Sequence, residues 1–157
     1  KTPADNRTDY IKRLIGVPGD TVQFIDSNLF INNSEVLKSR LTQKNEIYCG
    51  DETIETNLFS ENLPNGKSYT TVYLKNFPFQ NSDIFTVPKD HYFFLGDNRD
   101  CSKDSRFLSS VGYVHKENLV GKAQFIFFSS DRSIASIFSF WKWNKSIRLN
   151  RFFKAIN

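Results

Sequence analysis

Tyr10-Ile11-Lys12-Arg13-Leu14-Ile15-Gly16-Val17-Pro18-Gly19-Asp20 is the stretch from which the fold is read. Its first part predicts a strand over Tyr10–Val17, closed by the turn signal Pro18-Gly19-Asp20. Thr21–Ile25 and Leu29–Ile31 follow as two short apolar runs around Asp26-Ser27-Asn28, which predicts a hairpin. In a strand alternate side chains share a face, so Tyr10, Lys12 and Leu14 would point one way and Ile11, Arg13 and Ile15 the other. A lysine between apolar neighbours loses water, burial penalises its ammonium form, and the neutral amine that results can serve as a general base. Taken alone, the strand favours the plainer reading of a lysine snorkelling from an edge.

Working outward, 157 residues suit one domain, and an apolar fraction of 39% is enough for one core. Sixteen Phe against seven Gly point to strands with bulky inward faces, hence a mainly β chain. From Asn32 to Ser82 polar residues dominate, Leu63-Pro64-Asn65-Gly66 marks a turn, and only Tyr69–Leu74 reads as a strand. Residues 32–82 are therefore expected to be an insertion on the main sheet. Ile84–Val87, Tyr92–Leu95 and the long run Leu119–Phe128 are read as further strands.

No apolar run approaches the roughly 20 residues that a membrane helix needs. The net charge of +4 is unevenly spread, because residues 132–157 carry six Lys or Arg and no Asp or Glu. In that segment Phe138, Phe140, Trp141, Trp143, Phe152 and Phe153 stand among the cations, a pattern that suits a bilayer interface as well as it suits a core strand with solvated charges. Cys49 and Cys101 lack metal-type spacing and are read as two unrelated thiols. His91 and His115 have no metal-ligand or triad spacing and are read as surface residues.

Gly96-Asp97-Asn98-Arg99-Asp100-Cys101-Ser102-Lys103-Asp104-Ser105-Arg106 follows a hydrophobic strand and packs eight charged or hydroxyl side chains into eleven positions. A calcium loop is excluded, since Arg99, Cys101 and Ser102 occupy positions that need an oxygen ligand or the hinge glycine, and Leu108 replaces the closing glutamate. An Asp and Arg network that holds the loop rigid would make Asp104 and Arg106 structural partners.

These two stretches together resemble bacterial type I signal peptidases: Tyr10 through Asp20 is similar to the family's lysine-bearing box, and Gly96 through Arg106 to its GDNRDxSxDSR box. Val87-Pro88, Tyr92-Phe93, Gly112-Tyr113-Val114 and Asn118 through Ala123 also match the family's habit, while residues 32–82 show no match. The resemblance implies a mainly β domain of coiled antiparallel sheets, over 1–157, belonging to a membrane-bound serine endopeptidase. Such an enzyme removes signal peptides from exported preproteins on the outer side of the bacterial cytoplasmic membrane. It implies that Lys12 is the general base of a Ser/Lys dyad and that Ser102 orients it. Asp104 and Arg106 would form a supporting ion pair, Gly96 would leave room near the lysine, and Arg13 would be structural. Substrate would lie extended beside Asp9–Lys12, with Tyr10 and Ile11 helping to form small pockets. No metal or organic cofactor is called for.

The family places its nucleophile in a Ser-x-Met segment upstream of the lysine box, and the 157 residues contain no Met. The nucleophilic serine is thus expected outside this stretch, and the stretch alone is expected to be inactive. Two other readings stay open. One is a peptide- or membrane-binding module of the same fold that cleaves nothing. The other is a self-cleaving Ser/Lys regulator that binds DNA, which no helix-turn-helix pattern supports, so nucleic acid is not expected as a partner.

Overall fold

The computed structural model describes residues 1–50, 52–74, 81–130, 141 and 143–156. They gather into two compact units, residues 1–120 and 121–157. Among the described residues the first holds ten strands in three antiparallel sheets.

The first sheet places β1 (Arg13–Gly16) and β10 (Val114–His115) on either side of β9 (His91–Leu95). The strand expected over Tyr10–Val17 is shorter than predicted, because the ladder with β9 begins only at Arg13. Lys12 therefore lies just outside β1 rather than within it. Gly16 is where β1 bends against the core: a Cβ there would meet Val87 Cγ2 at 3.0 Å, Val22 Cγ2 at 3.1 Å and Phe93 Cβ at 3.3 Å.

The second sheet runs β4 (Ser34–Glu35), β3 (Asn28–Ile31), β2 (Thr21–Ile25), β8 (Phe85–Thr86). The expected hairpin is β2–β3, with Val22 opposite Ile31 and Phe24 opposite Leu29. Asp26 and Ser27 turn it with φ of 48° and 64°, the left-handed pair that matches the twist of a tight hairpin. Asn32 and Asn33 repeat the device at φ of 50° and 62° and lead into β4. Alternation of two decides the inward face. Val22, Phe24, Leu29, Ile31, Phe93 and Leu95 are buried and pack with Ile15, Val36, Phe85 and Val87 as the core.

The third sheet departs most from the reading of the sequence. β5 (Leu37–Cys49) and β6 (Glu52–Asn62) form a long hairpin, and β7 (Ser68–Val72) pairs with β6. The expected strand at Tyr69–Leu74 is β7, but β5 and β6 lie in residues that the polar pattern had marked as weakly structured. The hairpin has too few apolar residues on either face to show the alternation by which a half-buried strand is recognised, and its register slips between Arg40 and Lys44. The turn at Leu63–Gly66 is present, closed by the Gly66 N–H donating to the Leu63 carbonyl at 2.9 Å.

Cys49 and Cys101 are not separate thiols: they form a disulfide, with Cα atoms 5.2 Å apart. Fifty-two positions separate them, so no local spacing announces the pair. The β5–β6 hairpin brings the end of β5 to the loop after β9, within bridging range.

In the second unit the strand expected over Leu119–Phe128 is absent; what exists is a short antiparallel contact around Phe125 and Ala155. Ile126 N–H donates to the Lys154 carbonyl and Phe153 N–H to the Ile126 carbonyl. A four-residue helix, α1 (Trp143–Ser146), and a 3-10 turn at Leu149–Arg151 complete it. Phe138 and Phe140 lie outside the described residues, as do most of Ser133–Trp143 and the side chain of Trp143. Among the described residues no helix is long and apolar enough to cross a membrane.

Reopening a loop of this length returns chain entropy to the unfolded state, so replacing Cys49 and Cys101 together by Ser is expected to cost about 2–4 kcal/mol of unfolding free energy. Urea denaturation followed by circular dichroism measures it, and an unchanged midpoint would contradict the expectation.

Candidate active site

The pairing of Arg13 with Leu95 places Lys12 beside Gly96, where β9 ends and the polar loop begins. That loop then doubles back onto β9. Ser105 N–H donates to the Phe94 carbonyl at 3.0 Å, and Phe94 N–H donates to Ser105 Oγ at 2.9 Å. The return brings Ser102 over Gly96, and Lys12 Nζ donates to Ser102 Oγ at 2.5 Å. A Cβ on residue 96 would lie 1.9 Å from Ser102 Oγ and 2.4 Å from Ser102 Cβ. No side chain fits there, so glycine is a condition of the contact.

Burial pushes the Lys12 ammonium below its ordinary pKa of 10.5, and Arg106 pushes the same way; Asp104 and Asp97 pull against them. The balance favours the neutral amine more than water would. Tyr10 supplies part of the cover, its ring centroid 5.5 Å from Nζ. The ring remains 46% exposed, and Ile11 is 81% exposed. The apolar shielding expected from Tyr10 and Leu14 is therefore partial, Leu14 being 43% exposed.

Asp104 and Arg106 are both buried and joined by two parallel hydrogen bonds of 2.8 Å, from Nε to Oδ1 and from Nη2 to Oδ2. Asp104 Oδ2 also accepts the Gly96 N–H at 3.0 Å. The pair thus holds both ends of the turn that presents Ser102. Arg13 pairs with Asp97 through Nε at 2.8 Å and Nη2 at 3.0 Å, and its guanidinium lies 4.0 Å from the centre of the Tyr69 ring.

Residues that sequence reasoning passed over stand behind this loop. Arg99 has no exposed surface, and its Nη1 and Nη2 donate to Glu61 Oε1 at 3.0 Å and Oε2 at 2.6 Å. Tyr69 and Tyr73 hydroxyls donate to the same carboxylate. Burial and the neighbouring carboxylate push both phenols above their ordinary range, partly offset by Arg99, so they stay protonated donors. Glu61 gave no signal in the sequence, being one polar residue in a polar stretch.

Lys12, Gly96, Ser102, Asp104 and Arg106 are thus brought together, with Arg13 alongside; Tyr10 and Ile11 stand at the open side. The arrangement offers a partly desolvated amine, hydrogen-bonded to a hydroxyl, next to the exposed Tyr10 and Ile11. Among the described residues no group of three or more His, Cys, Asp or Glu side chains is placed to hold a metal ion. His91 and His115 face each other across β9 and β10 with ring centroids 5.0 Å apart, a pairing their sequence spacing did not show.

The family model described as signal peptidase, peptidase S26 matches residues 1–128. Proteins named signal peptidase I from Rickettsia typhi and Rickettsia conorii are each 41% identical to this chain over 98% of its length. The chain spans 62% and 61% of those two relatives. A crystal structure of a signal peptidase I from Enterococcus faecalis V583 is 30% identical, with a TM-score of 0.40, covering 76% of this chain and 87% of that one. With its lysine and its serine-bearing loop in contact, and with the family's model matching most of its length, this chain belongs to the signal peptidase, peptidase S26 family.

Proposed function

We propose that this chain is the base-bearing domain of a serine endopeptidase that removes N-terminal signal peptides from exported preproteins at the outer face of a bacterial cytoplasmic membrane. The observation that carries the reading is the half-buried Lys12 amine held 2.5 Å from Ser102 Oγ. In the neutral form the Nζ lone pair takes the proton of a serine hydroxyl as that oxygen attacks the scissile carbonyl. The ammonium then returns the proton to the leaving amine, and the same nitrogen activates the water that hydrolyses the acyl-enzyme. Ser102 holds the amine in line through both steps, and Asp104 with Arg106 holds Ser102. The family resemblance assigns the nucleophile to a Ser-x-Met segment, so these 157 residues alone are inactive. Substrate lies extended along Asp9–Lys12, its small side chains beside Tyr10 and Ile11.

A second surface supports contact with anionic lipid. The described part of the second unit carries Lys122, Lys145, Arg148, Arg151 and Lys154 with no Asp or Glu. Phe125, Phe127, Phe128, Trp141, Leu149 and Phe153 are exposed in the same unit. Exposed aromatic rings among cations suit the boundary between water and lipid headgroups.

In the full-length protein, Lys12→Met and Lys12→Arg are expected to abolish single-turnover cleavage of a preprotein while circular dichroism stays native, since neither side chain can supply a base. The base form grows as pH rises, so the wild-type rate should climb with a midpoint below pH 10.5. Ser102→Ala should lower kcat far more than it raises KM. Near-normal cleavage by folded Lys12→Met would leave the lysine structural; absence of cleavage by the wild type, with peptide still bound, would favour a module that binds without cutting.

For the lipid surface, sedimentation with phosphatidylglycerol vesicles should show binding that weakens with salt, each cation near the bilayer contributing about 1 kcal/mol. Binding unaltered by combined Phe127→Ala, Phe153→Ala, Arg151→Gln and Lys154→Gln changes would rule that surface out.

A further inference from the structure

Arg99 is the bulkiest side chain with none of its surface exposed among the described residues. A guanidinium in that position survives only if its charge is matched and its N–H groups are taken up. Glu61 on β6, directly opposite Tyr69 on β7, matches the charge and accepts from Nη1 and Nη2. The Tyr73 and Tyr69 hydroxyls accept from the same two nitrogens, and Nε is left without a partner among the described residues. The backbone of the loop is tied to the same sheet. Arg99 N–H donates to the Val72 carbonyl at 3.0 Å, Val72 N–H donates to the Asp97 carbonyl at 2.9 Å, and the Asp100 carboxylate accepts the Leu74 N–H.

From Arg99 a continuous path leads to the amine. Its carbonyl accepts Arg106 Nη2; Arg106 grips Asp104; Asp104 accepts the Gly96 N–H; and Gly96 leaves the space in which Ser102 meets Lys12. The links from Arg99 to Gly96 are buried hydrogen bonds, the last, from Lys12 to Ser102, is half-buried, and the space over Gly96 leaves too little room for an alternative. A shift of Arg99 is therefore passed along the loop rather than absorbed in solvent.

Resting on the proposed role of Lys12, we propose that Glu61 is a positioning residue: its carboxylate anchors Arg99 and so holds Ser102 against the Lys12 amine. The β5–β6–β7 sheet then acts as the rear wall of the site. Charge alone does not explain the arrangement, because the carboxylate accepts from Tyr69 and Tyr73 as well as from Arg99, and Lys38 stands 4.2 Å over the Tyr73 ring. An amide at residue 61 would turn N–H donors toward a site already full of donors. The charged groups that face Lys12 itself are Asp104, Arg106 and Asp97; Glu61 is not among them and acts through the loop.

The test follows the Lys12 ammonium by NMR of the isotopically labelled lysine side chain in the 157-residue chain, which needs no catalytic activity. Glu61→Gln is expected to move the Lys12 titration measurably upward, toward its ordinary value, as the amine regains water. Glu46→Gln, which removes an exposed carboxylate from the same sheet, should leave it in place. Because Glu61→Gln orphans a buried charge, the double variant Glu61→Gln with Arg99→Met removes both charges; it is expected to fold and still to show the raised titration. In the full-length protein either variant should slow single-turnover cleavage by about 100-fold with KM nearly unchanged. An unmoved titration in Glu61→Gln overturns the proposal, as does recovery of the native titration in the double variant, or failure of both variants to fold, which would make Glu61 a stabilising residue only. A titration that rises in Glu61→Gln, together with a full-length wild-type protein that cleaves nothing, would instead sink the peptidase reading and leave this one standing.

Discussion

An amine that is to act as a base near neutral pH must be kept from water and yet held by a polar neighbour, and the contact of Lys12 with Ser102 over Gly96 is where this fold meets both demands. It depends on a gap the size of one methyl group. The β1–β9 register brings Lys12 to Gly96, and the loop after β9 returns Ser102 to the same place. A Cβ at residue 96 would fall 1.9 Å from the serine oxygen. The core strands serve this geometry at a distance, since Phe93 and Leu95 anchor β9 from its buried face while Gly96 emerges at its end.

The loop that carries Ser102 is short of apolar side chains and cannot hold its shape by burying surface. It is held by charge instead. Asp104 with Arg106, and Arg99 with Glu61, are two buried pairs with bidentate geometry, the arrangement in which mutual attraction best offsets lost hydration. Buried pairs add little net stability compared with apolar packing, but they tolerate few alternative geometries. A loop that must place one hydroxyl within hydrogen-bond reach of one amine gains from that intolerance. The Cys49–Cys101 disulfide fixes the residue immediately before Ser102.

The sequence by itself singled out the residues of the candidate site. Lys12 and Ser102 were legible because each lies in a long stretch that resembles a family motif, and the β2–β3 hairpin was legible because two short apolar runs flank the turn signal Asp26-Ser27-Asn28. Asp104 and Arg106 sit two positions apart, close enough in the chain to be paired on paper. The tertiary structure alone decided the rest. Glu61 and Arg99 are 38 positions apart and Cys49 and Cys101 are 52 apart, and neither pair lies in a pattern that names its partner. The β5–β6 hairpin that unites them is polar on much of both faces, so hydrophobic periodicity could not reveal it. The shielding of Lys12 was likewise misplaced by local reasoning. Tyr10 and Leu14 stay exposed, and the polar partner of the amine comes from a loop some 90 residues away in the chain, because desolvation depends on what the fold stacks on a group and not only on its neighbours in sequence.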